Sequence, residues 1–139
     1  MQSKEYLKQA YRLNELIRAN REELDELRVL SESVSGIDMS KEPSGSSGSS
    51  DAGFARIVMK IIDLEKAIND DIEELLSLKL EIRTTINTVE DNDEKLLLKL
   101  RYLNFMCWED VCNEMCVSTR TAHRIHASAL KNIKIPCVS

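Results

Sequence analysis

Aromatic residues make up only 4% of this 139-residue chain, against 31% charged residues. That balance excludes a large globular core and suits long amphipathic helices, or one compact domain with an extension. No apolar run approaches the length needed to span a bilayer. The N-terminus is polar and charged from Lys4 onward, without the apolar stretch of a signal peptide. No membrane contact and a cytoplasmic location are therefore expected. No His-Glu-x-x-His, Gly-x-Ser-x-Gly or nucleophile dyad occurs. The acid pairs Asp70-Asp71 and Glu73-Glu74 alternate with apolar residues along a highly charged segment, as a solvated helix face does. Neither catalysis nor a cofactor is expected.

Cysteine is missing from the first two thirds and then occurs at 107, 112, 116 and 137. Cys112 and Cys116 are four apart, with His123 and His126 nearby. Zinc in small domains is usually held by paired ligands such as Cys-x-x-Cys, and that pair is absent, so no metal is expected. Free thiols are expected in a reducing compartment. Cys107 occupies a helix start where Ser or Thr would cap, and a thiol caps poorly.

Net charge is −5, but it is unevenly placed. Residues 95–139 hold seven Lys/Arg against three acids, and the remainder holds 12 against 21. The C-terminal third is thus basic, as a segment meeting phosphates must be.

Two long helices account for most of the chain. Tyr6, Ala10, Leu13, Ile17, Asn20, Leu24 and Leu27 follow the alternating four- and three-residue steps of a coiled-coil seam, with Leu16 and Leu30 widening the stripe. Asn20 lies on that seam, either fixing register or at a solvated edge. Residues 32–52, with Ser35-Gly36, Pro43 and the Ser/Gly tract 44–50, read as a flexible connection. Gly45 and Gly48 lack the Lys-Ser/Thr that a phosphate loop requires. A second helix from about Ala52 to Glu90 carries Ile57, Ile61, Leu64, Ile68, Leu75, Leu78 and Ile82, flanked by Ile72, Leu76, Ile86 and Val89. The pair is expected to lie antiparallel. The fold class is therefore all-α: a coiled-coil-like hairpin over 1–90, then a small helix-turn-helix domain over 91–139. So thin a hairpin core invites a second copy and a four-helix bundle; the competing packing folds the hairpin onto its own C-terminal domain.

Asp91-Asn92-Asp93 can cap a helix beginning near Glu94, packed through Leu96, Leu97, Leu100 and Leu103. Trp108, Val111, Cys112 and Met115 then form one apolar face of two turns. Ser118 is placed to cap the next helix, whose inward face is Ala122, Ile125, Ala129 and Leu130. Between these lie Thr119, Arg120, His123 and Arg124, polar or basic and gathered in the first two turns. A helix that reads the DNA major groove needs that division between a packed face and hydrogen-bonding side chains. His126, Lys131 and Lys134 trail along the same helix as further phosphate contacts.

The order Leu100-Arg101-Tyr102, Trp108-Glu109-Asp110-Val111, Ser118-Thr119-Arg120-Thr121 and Arg124-Ile125-His126-x-x-Ala129-Leu130 resembles region 4 of sigma-70-type factors. With Lys4-Glu5-Tyr6-Leu7-Lys8-Gln9-Ala10-Tyr11-Arg12-Leu13-Asn14, the whole chain looks like small phage and prophage proteins that join an N-terminal helical hairpin to a sigma-like C-terminus. The resemblance implies double-stranded DNA binding and transcriptional regulation in a bacterial host cell. It also implies a DNA-reading helix over 119–133, with Thr119, Arg120, His123 and Arg124 at the groove. The hairpin would then form a homodimer or touch RNA polymerase. Two alternatives stand beside this: a DNA-packaging accessory like a small terminase subunit, and a protein-interaction module without specific DNA binding.

Overall fold

A computed structural model describes the chain over residues 2–40 and 47–136, with side-chain surroundings for 2–33 and 52–136. The described residues are helical, without strands: α1 (Ser3–Ser40), α2 (Ser47–Ile86), α3 (Asn92–Leu98), a π-helical segment (Lys99–Leu103), α4 (Trp108–Met115) and α5 (Thr119–Asn132). The all-α expectation holds. The helices outrun the connection expected at 32–52, since α1 continues to Ser40 and α2 resumes at Ser47. A single helical glycine costs only about 1 kcal/mol, and residues 32–40 contain no proline to stop propagation. The rest of that expected connection, with Pro43, lies outside the described residues. α2 conversely stops at Ile86, short of Glu90, through a turn in which Thr88 Oγ1 donates to the Thr85 carbonyl at 2.6 Å.

The chain divides into two compact units that differ from the boundary expected at residue 90. One comprises Met1–Asn14 with Glu74–Ser139, and the other Glu15–Glu73. The base of the hairpin therefore belongs to the C-terminal domain, because Tyr6, Leu7 and Ala10 share a buried cluster with Ile82, Ile86 and Val89. Tyr6 Oη and Thr85 Oγ1 hydrogen-bond at 3.1 Å inside it. The competing packing thus holds for this part of the hairpin. The other unit is simpler. Ile17, Leu24 and Ile68 are its buried apolar residues among those described, and Arg28 Nη2 meets Glu65 Oε1 at 3.1 Å. Partners on α2 fall in number as α1 advances, Tyr6 with Thr85 and Arg28 with Glu65, which is an antiparallel pairing.

The seam on α1 is as the spacing predicts, with Leu13, Asn20 and Leu27 half-buried between buried positions. Leu16, Leu30 and Leu76 do not widen the apolar stripes; all three are exposed. In α3 the prediction needs a similar correction, since Leu98 is fully buried and Leu96 is exposed. Glu94, Leu97 and Leu98, at i, i+3 and i+4, form the buried side of this helix, and a π-helical segment follows it. Asn104 N–H donates to Lys99 O at 3.0 Å, and the extra residue in that turn rotates the following side chains, so Leu100 and Tyr102 point inward while Leu103 is half-buried.

Candidate nucleic-acid interface

The candidate interface is built around α5, and local chemistry sets where α5 begins. Asp91 caps α3 by accepting from Glu94 N–H at 3.0 Å. Cys107 stands at the N-cap of α4 without a side-chain hydrogen bond, as expected of a thiol. α4 ends at Cys116, whose φ of 57° lies in the left-handed region. Val117 N–H reaches back to Cys112 O at 3.1 Å and Cys116 N–H to Asn113 O at 3.3 Å. These two bonds form a Schellman stop, the motif that normally places glycine in the left-handed position. Nothing in a period of apolar residues announces it. Ser118 then starts α5, its Oγ accepting from Thr121 N–H at 3.2 Å.

α5 is anchored from three sides. Ala122 and Ala129 are fully buried and let α3 and α4 approach closely, while Ile125 and Leu130 are half-buried. At its C-terminal end, Ser128 Oγ and Asn132 Nδ2 donate to the two oxygens of the buried Glu94 at 3.0 and 2.8 Å. That pairing satisfies a carboxylate which would be costly to bury alone. The third anchor is His126. Its Nε2 shares a 2.7 Å hydrogen bond with the Tyr102 hydroxyl, and only 8% of the residue is exposed.

Sequence reasoning placed His126 among the DNA contacts, and the structure corrects this. The imidazole stacks on Tyr102 and meets the edge of Trp108, with ring centroids 5.8 and 4.8 Å away. Burial, with help from Lys4, His123, Arg101 and Lys8, pushes its pKa down to about 4. Buried and tied through Nε2 to Tyr102, the imidazole is not presented on the open side of α5. Burial likewise raises the Tyr102 phenol to about 12 despite the Arg101 charge, so both partners stay uncharged near neutrality.

The other α5 candidates lie on its open side, whereas Lys134 lines a cleft with Glu90, Asp91 and Glu94. Thr119, Arg120, His123, Arg124 and Lys131 are all exposed, as is Lys134 just beyond the helix. His123 lies against Trp108 at 4.4 Å between ring centroids, and the Arg101 guanidinium carbon sits 5.0 Å from the centroid of the same indole. Arg101 is held by donating through Nη1 to Met106 O at 2.7 Å. Sequence reasoning missed the Arg101–Trp108–His123 row because its members come from three elements. Among the described residues, none of these cations lies within 4.0 Å of a carboxylate. Cys112 is buried and Cys116 exposed, each free, and no group of three or more His, Cys, Asp or Glu among the described residues is arranged to hold a metal.

The elements define an all-α protein: a helical hairpin whose base packs into a small bundle ending in two helices joined by a tight turn. By sequence, a family model covers residues 39–134, and the chain belongs to that family, described as Protein of unknown function (DUF1492). The match runs from the end of α1 through α5 and leaves Lys4–Asn14 outside it. No curated protein and no solved structure matches the chain. No helix among the described residues is long and apolar enough to cross a membrane.

Proposed function

We propose that this protein is a phage-type, sigma region-4-like DNA-binding regulator of transcription, without catalytic activity, in which α5 lies in the major groove. The observation that carries the reading is the division of α5: Ala122, His126 and Ala129 are buried, while Thr119, Arg120, His123 and Arg124 stand exposed on its first two turns. The N-terminal turns of a recognition helix are those that reach base edges. Arg120 and Arg124 suit guanine N7 and O6, and Lys131 suits a phosphate further along. His126 acts indirectly, by fixing the rotation of α5 about its axis.

The hairpin supplies assembly. Leu16, Val29, Leu30, Met59 and Ile62 are exposed in a unit with a thin core, which supports pairing with a second copy of this chain. Selection of bound sequences from a random duplex library, at physiological salt, tests the reading. An enriched motif, palindromic for a dimer, is expected. Absence of enrichment would overturn specific reading. Rings well above a dimer would instead point to DNA packaging, and polymerase binding without DNA affinity to an interaction module.

A further inference from the structure

We propose that a cleft between α1 and the π-helical segment, walled by Lys8, Arg12 and Arg101, binds a backbone phosphate of duplex DNA and gives the protein a second anchor beside α5. The inference rests on the DNA reading above and extends it to residues outside the helix-turn-helix. The cleft measures about 200 Å³, and its remaining walls are Tyr11 and Tyr102. Three cations thus face one opening, and among the described residues none of them has a carboxylate within 4.0 Å. Uncompensated cations around an open cleft are stabilised by an anion with several acceptor oxygens, as a phosphodiester is.

The walls are held from behind. Arg101 is tied to Met106 O at 2.7 Å, Tyr102 to His126 at 2.7 Å, and Tyr11 packs edge-on against Phe105 with centroids 5.9 Å apart. Phe105 itself is left-handed, with φ 58°, and carries Lys79 Nζ 4.7 Å above its ring. Such strain persists only where the surroundings enforce it. The cleft is also continuous with the α5 face. Arg101 leads through Trp108 to His123, and Lys4 and Lys8 lie close enough to α5 to disfavour a charge on His126. Lys4, Lys8 and Arg12 recur every four residues, so they fall along one side of α1. A duplex seated on α5 therefore meets a basic row on α1 as well, which suits duplex DNA better than a small free anion.

The test uses the full chain and two duplexes of equal length, one carrying a selected motif and one unrelated. Affinity is measured against salt concentration for the wild type, Lys8→Gln/Arg12→Gln, and Arg12→Gln alone. Each phosphate contact contributes about one to the slope of log affinity against log salt. The double variant should lower that slope by about one on both duplexes and leave the preference between them unchanged; Arg12→Gln alone, with Lys8 and Arg101 still facing the phosphate, should lower it by less. Unchanged slopes in folded variants, with wild-type binding intact, would overturn the cleft assignment and leave α5 as the reader. A wild type with no salt-dependent duplex binding would overturn the DNA reading and this inference with it.

Discussion

The two units of this chain differ in charge, composition and core. Met1–Asn14 with Glu74–Ser139 carries 12 Lys/Arg against ten acids, while Glu15–Glu73 carries seven against 14. Net charges of +2 and −7 separate a unit able to approach phosphates from one that repels them. Five of the six aromatic residues lie in the basic unit, which is why a connected core forms there and only a narrow seam forms in the other. The connected core and the proposed DNA-binding face thus lie in the same unit, which joins residues 1–14 to residues 74–139.

The comparison can be broken most severely in the core. Ile86 is fully buried in the basic unit and Ile61 half-buried on the hairpin. Ile86→Ala should cost about 2–5 kcal/mol and Ile61→Ala about 1 kcal/mol or less in denaturant unfolding. Equal losses would mean that the two cores are equally dense. Amide hydrogen exchange should agree, with slower exchange in α3 and α5 than in residues 15–33.

Acid should weaken the basic unit selectively, by up to about 3 kcal/mol. His126 has its folded pKa depressed from 6.5 to about 4, so the unfolded chain binds the extra proton between those values. The contribution is complete above about pH 6.5 and is lost as pH falls toward 4. His126→Gln should flatten the melting temperature across that window; an unchanged profile would show that another group governs it. A smaller gain comes at the left-handed turn. Cys116→Gly should stabilise by about 0.5–1 kcal/mol, since glycine carries no Cβ penalty there; a loss would contradict the Schellman geometry. Smallest of all, Arg28→Ala removes an exposed ion pair on the hairpin and should cost no more than about 1 kcal/mol, less at high salt.

What could be read from sequence was local. The α1 seam, the Asp91 and Ser118 caps, the poor cap at Cys107 and the inward alanines of α5 depend on residues within two turns of one another, and all are found as the spacing predicts. What was missed depends on distant segments. His126 looks like a polar residue on a basic helix until Tyr102 and Trp108 close over it. The unit boundary moved because Tyr6, Leu7 and Ala10, far away in sequence, complete the core beneath α3. Leu96 is exposed and Leu98 buried because three successive leucines leave the phase of a seven-residue helix open until its neighbours pack against it. The Arg101–Trp108–His123 row, likewise, exists only once three elements meet.

The most direct measurement is the affinity of Arg120→Ala/Arg124→Ala for a duplex selected by the wild type, with helicity and melting followed in parallel. Both side chains are exposed, so the fold should be retained. Each arginine that pairs with a base contributes about 1–3 kcal/mol of discrimination, so preference for the selected duplex over an unrelated one should largely vanish. A folded double variant that keeps the wild-type preference would contradict the placement of α5 in the major groove.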